Sequence, residues 1–122
     1  MSQQITNQEV LTRYCDALIM RFSDQLQRLI LFGSHARGDA TAESDIDVLV
    51  VVNWEEERLP DGFYASPFSD PRWQTIVDIA SDLSLEYGVY ISPLVISERR
   101  FREWSPLTER VQEQGVEIWK KN

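Results

Sequence analysis

Leu29-Ile30-Leu31-Phe32-Gly33-Ser34, then ten residues, then Asp45-Ile46-Asp47-Val48-Leu49-Val50-Val51-Val52: this stretch decides the fold. Both apolar runs are short and continuous, and each is bounded by turn-forming or acidic residues. They read as buried strands, Leu26 to Phe32 and Ile46 to Val52. Side chains alternate along a strand, so Asp45 and Asp47 share one face, about 7 Å apart along the chain. Two carboxylates that close repel one another unless something compensates. An oxygen-rich pair of this kind suits Mg²⁺ (or Mn²⁺), which is held by one or two carboxylates plus substrate phosphates. Gly33 and Ser34 end the first strand. Glycine lets a phosphate approach the backbone, and free N–H groups with a serine hydroxyl can hydrogen-bond it. Arg37 can add a positive charge. The expected site thus has a donor half for a triphosphate (Gly33, Ser34, Arg37) and an acidic half for the bridging metal (Asp45, Asp47). Taken singly, Gly-Ser after a strand is an ordinary turn and Asp-x-Asp an ordinary solvated strand entry; their combination at this spacing is what carries information.

Working outward, Thr6 and Glu9 have capping-box spacing. Val10, Leu11, Tyr14, Leu18, Ile19 and Phe22 then recur at helical intervals, predicting a helix from about Asn7 to Phe22. Residues 35–43 are polar and form a short helix or loop. Asn53 to Asp70 lacks a period and holds Glu55-Glu56-Glu57, Phe63, Tyr64 and Phe68, an aromatic set that could cover a ligand, dock a partner or close over a sheet edge. A loop of this length is uncommon and is usually functional or mobile. The glutamate run is expected to face solvent. Asp70-Pro71 reads as an N-cap and first helical proline, Trp73 to Tyr87 as an amphipathic helix, and Gly88 as its left-handed stop. Val89 to Ile96 is a third strand. Pro93 removes a ladder donor there, so the strand is at an edge or bulged. Ser97 caps a short helix over Glu98 to Trp104. Pro106 begins another that ends near Gly115, and Val116 to Trp119 closes the chain as strand or helix. The fold class is therefore α/β (α+β): a small mixed sheet of about three to four strands backed by helices.

The chain has 122 residues, consistent with one domain over 1–122. Its net charge is −8, and the imbalance is local: residues 39–61 hold eight acids and one base. A cationic nucleic-acid footprint is absent, so no direct nucleic-acid partner is expected. The acidic stretch repels a phosphate unless a metal lies between them, and it attracts a basic partner protein. No apolar run approaches membrane-spanning length and no secretory leader is visible, which points to a cytoplasmic protein without membrane contact. The one cysteine, Cys15, excludes an internal disulfide and a cysteine-rich zinc site. It falls near the apolar face of the first helix and reads as packing.

The segment Gly33-Ser34-His35-Ala36-Arg37-Gly38-Asp39 through Ser44-Asp45-Ile46-Asp47-Val48 resembles the signature of the DNA polymerase β nucleotidyltransferase superfamily, and within it the minimal nucleotidyltransferases, the MNT proteins. The similarity is strongest over residues 29–52. The resemblance implies a polymerase β-like nucleotidyltransferase fold. It also implies transfer of a nucleoside monophosphate, AMP from ATP, with divalent metal and release of pyrophosphate. Carried over, Gly33 and Ser34 would hold the triphosphate, and Asp45 and Asp47 would ligate metal. Many MNT proteins are antitoxins paired with HEPN ribonuclease toxins, which they silence by adenylylating a tyrosine. A HEPN-type partner, and a homo- or hetero-oligomer, are the corresponding expectations.

One departure stands out. Complete members of the superfamily carry a third carboxylate on the next sheet strand. Here that strand reads Val89-Tyr90-Ile91-Ser92-Pro93-Leu94-Val95, placing Ser92 where the acid belongs. Serine is a poor metal ligand and no base near neutral pH. Three readings follow: catalysis with two aspartates; substitution by Glu43 or one of Glu55 to Glu57; or a non-catalytic module that binds nucleotide or occludes a partner. Nucleotidylation of a small molecule is a further alternative, but such enzymes usually need an added acceptor domain. His35 could contact phosphate or relay a proton. Trp73 and Trp104 read as core or interface.

Overall fold

A computed structural model describes residues 6–41, 45–63, 65 and 70–122. In chain order the elements are α1 (Asn7–Phe22), a 3₁₀ turn at Ser23–Gln25, β1 (Leu26–Phe32), α2 (Ser34–Arg37), β2 (Ile46–Val52), α3 (Pro71–Tyr87), β3 (Ile91–Ser97), α4 (Glu98–Arg102), α5 (Pro106–Gln114) and β4 (Val116–Lys120). The strands form one mixed sheet in the order β3-β2-β1-β4. β1 runs antiparallel to both β2 and β4, while β2 and β3 are parallel. The parallel pair is joined by α3, as a parallel connection requires. The closing segment is therefore a strand and makes the sheet four-stranded.

β2 is central, and its composition follows from that position. Val48, Val50 and Val52 join Leu18, Tyr14, Ile76 and Ala80 in the cluster under α1 and α3. Leu49 and Val51 join Ile30, Ile96 and Val111 on the opposite face, which α4 and α5 cover. A strand buried on both sides has no polar face to alternate, hence the unbroken apolar run. Pro93 sits within β3 at the sheet edge, opposite Val48 in unbroken register, where its missing N–H costs no ladder bond to an outer neighbour.

The helix ends follow their local chemistry. Thr6 accepts from the Glu9 N–H, and Asp70 from the Arg72 N–H with Pro71 in the first turn. Ser105 and Thr108 form a reciprocal capping box on α5. α3 stops at Gly88, which is left-handed with φ 69°. Gly115 is different: its backbone is extended, and a Cβ there would strike the Val111 carbonyl and Ile30. Glycine is needed at that point for close approach. Among the described residues no helix is long and apolar enough to cross a membrane.

Candidate active site at the start of the second strand

Asp47 is the second residue of β2. It lies opposite Phe32, the last residue of β1, and level with Ser92 of β3. Ile46 and Val48 pack under α1 and α3, so alternation turns Asp47 to the opposite face, the one that holds Leu49 and Val51. Asp45 precedes the strand on the same side of the alternation and is exposed. Partial burial of Asp47 pushes its carboxyl above the ordinary range, and the Asp45 charge pushes it further, while His35 and Arg37 pull the other way.

Gly33 turns the chain out of β1 at φ 74°, a conformation that favours glycine. A Cβ at this position would overlap Asp47 Oδ2. The bend and the carboxylate therefore occupy adjoining space: a side chain at position 33 would displace the Asp47 carboxylate as well as strain the backbone. Ser34 opens α2, whose internal bonds begin with the Arg37 N–H donating to the Gly33 carbonyl at 3.1 Å. The first N–H groups of a helix point out of its N-terminus. The glycine bend, the start of α2 and both aspartates thus gather at one end of the sheet.

The remaining expected residues distribute unevenly. Arg37 is exposed and its Nε donates to Asp39 at 3.3 Å. Its charge is felt at Asp47, but its resting partner is another acid. His35 lines a cavity of about 590 Å³ between α1, β1 and β4, with Leu11, Cys15, Ile19, Leu31 and Trp119. That cavity lies on the α1 side of the sheet, away from the face carrying Asp47. Cys15 is buried and its thiol is pushed up to about 12 by burial, which fits packing. Trp104 is exposed rather than core, and Phe63 is exposed in the long loop. Tyr64, Phe68, Glu43 and Ser44 lie outside the described residues.

The expectation that the glutamate run faces solvent is corrected for Glu56. Its carboxylate accepts from the Ser97 N–H at 2.7 Å and from Arg100 Nη1 at 3.1 Å, and so holds the start of α4. Ser97 pairs with Val52 at the far end of β2, five residues from the Asp47–Ser92 rung, about 16 Å along the strand. Glu56 is therefore no stand-in for a third carboxylate. Asp78 and Glu86 belong to α3. Among the described residues, no group of three or more His, Cys, Asp or Glu side chains is placed to hold a metal. Among the described residues Asp45 and Asp47 remain, and two hard oxygen donors fit Mg²⁺ that would complete its shell with phosphates and water. The sequence reading passed over Tyr90. Its carbonyl accepts the Ile46 N–H at 2.8 Å, which sets it beside Asp45, and it is 61% exposed. Its adjacency to the Ser92 rung was the available signal.

Comparison with known proteins bears on this geometry. Residues 16–118 match the model of the nucleotidyltransferase domain. The "Putative protein adenylyltransferase MJ0604" of Methanocaldococcus jannaschii is 32% identical over 104 residues, 83% of this chain and 87% of that protein. The "Putative protein adenylyltransferase MJ0141" of the same organism is 34% identical over 110 residues, 90% of this chain and 96% of that protein. A crystal structure of a toxin-antitoxin with AMP-PNP superposes at a TM-score of 0.57 and 21% identity, over 95% of this chain and 75% of that one. At that identity the likeness shows the fold.

Proposed function

The chain belongs to the nucleotidyltransferase domain family, and from that premise we propose that it transfers an adenylyl group from ATP to a hydroxyl of a partner protein, a tyrosine of a HEPN ribonuclease toxin, and so acts as that toxin's antitoxin. The observation that carries the reading is the close fit of the Gly33 bend to Asp47, with Asp45 on the same face. In this reading Gly33 and Ser34 bind the triphosphate, with Arg37 exchanging Asp39 for a phosphate oxygen. Asp45 and Asp47 hold Mg²⁺ (or Mn²⁺), which when bound supplies charge neutralisation at the phosphates. The acceptor oxygen bonds to the α-phosphorus, the bond to the β-phosphate oxygen breaks, and pyrophosphate leaves. The acceptor's proton passes to water, since Ser92 is no base. The relatives named as protein adenylyltransferases support a protein acceptor, and the toxin-antitoxin neighbour supports a toxin partner. The net charge of −8 suits a basic, RNA-binding partner.

The test is incubation with α-labelled ATP, Mg²⁺ and a HEPN ribonuclease. Label is expected on a tyrosine of the partner. Asp45→Asn and Asp47→Asn should each lower transfer by more than about a hundredfold, beyond the roughly 10–100-fold that losing a residue that merely supports a metal ligand costs, with folding intact by circular dichroism. Normal transfer by the double variant contradicts the assignment. A second reading, occlusion of the toxin without chemistry, is favoured by Ser92 at the Asp47 rung. Its signature is inhibition of the ribonuclease without label.

A further inference from the structure

Resting on that reading of the site, we infer that Tyr90 is an acceptor of the protein's own reaction: its hydroxyl takes the adenylyl group within the same chain when no partner fills the acceptor side. The sheet sets the two ends of the transfer on opposite flanks of β2. On one flank lies β1, whose last residue, Phe32, is opposite Asp47 and leads into Gly33 and Ser34. On the other flank lies β3. An attacking oxygen meets phosphorus roughly in line with the oxygen that leaves. With the triphosphate tail at Gly33 and Ser34, attack comes from the β3 flank, and Tyr90 stands there. The Ile46 N–H donates to its carbonyl at 2.8 Å, and Ile46 pairs with Ile91, so Tyr90 is level with Asp45 on the neighbouring strand. Alternation sets its face. Ile91 is buried under α1 and α3, whereas Ile96 packs with Leu49 and Val51 on the opposite face, so Tyr90 shares the face of Ser92 and Asp47.

The other described tyrosines are engaged elsewhere. Tyr14 is buried and its hydroxyl donates to the Ile76 carbonyl, and the Tyr87 hydroxyl accepts from Arg13. Tyr90 is 61% exposed. An aromatic side chain spans the roughly 7–8 Å to a diagonal neighbour on the next strand, which for Tyr90 is Asp47. In the step, the Tyr90 hydroxyl oxygen bonds to the α-phosphorus. The bond from that phosphorus to the β-phosphate oxygen breaks, pyrophosphate leaves with the electron pair, and the phenolic proton passes to water. The product is an adenylylated Tyr90 whose nucleotide lies across the acceptor side. An acceptor held in the same chain makes the step unimolecular, so it needs no partner. A docked partner hydroxyl competes for the same approach.

The experiment incubates the full chain with α-labelled ATP and Mg²⁺, with and without a HEPN ribonuclease, and locates the label by peptide mass spectrometry. Alone, the chain should gain one AMP on Tyr90, at a first-order rate that does not change with protein concentration. Adding the ribonuclease should lower the label on Tyr90. Tyr90→Phe should lose the label, with folding checked by circular dichroism; Tyr90→Trp keeps a ring without the hydroxyl if the phenylalanine variant does not fold. A second measurement reads position without turnover: iodination of Tyr90 should slow when a non-hydrolysable ATP analogue and Mn²⁺ are present. The inference is overturned if the ribonuclease is labelled while Tyr90, with or without it, is not. It is also overturned if the rate constant rises in proportion to protein concentration, if folded Tyr90→Phe is labelled as fully as the wild type, or if the analogue leaves iodination unchanged. Failure of the underlying site reading looks different: neither protein would take label, or the Asp45→Asn/Asp47→Asn double variant would label the ribonuclease as the wild type does.

Discussion

Gly33 and Asp47 illustrate how far single residues determine this site. Replacing Gly33 with alanine adds a strained φ and an overlap with the Asp47 carboxylate. The expected loss is about 1–3 kcal/mol, read as a lower urea midpoint. Gly33→Ala combined with Asp47→Ala should lose less than the two changes summed, because the overlap disappears with the carboxylate. Asp47 also carries a pH signature. Its folded carboxyl lies above the ordinary 3.8 of the unfolded chain. The native state therefore keeps this proton longer, and its ionisation opposes folding increasingly as pH rises from 3.8 through the raised folded value. Asp47→Asn should accordingly melt higher than the wild type at neutral pH in chelator. That advantage should vanish once pH falls below the unfolded value, where both states are protonated. Melting curves across pH check it, and an advantage that grows toward acid contradicts it. At this scale the sequence showed that glycine and the aspartates belong together. It could not show that Gly33 lies against the Asp47 carboxylate, since that contact joins the bend after β1 to a residue of β2.

Among the elements, α3 bears the parallel crossover that fixes the Asp47–Ser92 rung. Its first turn is held by Asp70, which accepts from the Arg72 N–H at 2.9 Å and pairs with the Arg72 guanidinium at 2.8 Å. The Arg72 hydrogen bonds hold the Asp70 carboxyl below its usual range. Asp70→Ala should cost about 1 kcal/mol, the usual value of an N-cap, as a shift in urea midpoint. The wild type's advantage should be full above the unfolded carboxyl value and fade as pH falls through the lowered folded one. Most elements were legible because their signals are local. Periodicity marked α1, continuous apolar runs marked β1 and β2, and Asp70-Pro71 with Gly88 marked both ends of α3. β4 was ambiguous, since five residues with exposed and half-buried positions have too short a period to separate strand from helix. Glu56 was misjudged for the opposite reason. Its partners lie 41 and 44 residues away, and no spacing rule reaches that far.

For the whole molecule, the proposed chemistry sits where a glycine bend meets the N-terminal end of a central strand, and both faces of that strand are anchored by core. The rigid β2 gives Asp47 a fixed position, while the exposed Asp45 lets a solvent-borne ligand approach. Apolar patterning alone did not give the strand order, because sheet neighbours are set by long-range packing; the family resemblance supplied the neighbourhood of β2 and β3, and the register puts Ser92 level with Asp47. The acidic surface belongs to the same scale. In the proposed reading it disfavours nucleic acid, suits a basic partner protein and leaves phosphate binding to depend on a cation. The most direct measurement is a crystal structure with Mn²⁺ and a non-hydrolysable ATP analogue, read by anomalous scattering. The account expects a peak within coordination distance, about 2 Å, of carboxylate oxygens of Asp45 and Asp47, with the triphosphate against Gly33 and Ser34. A nucleotide seated elsewhere, with no metal between those two side chains, would contradict it.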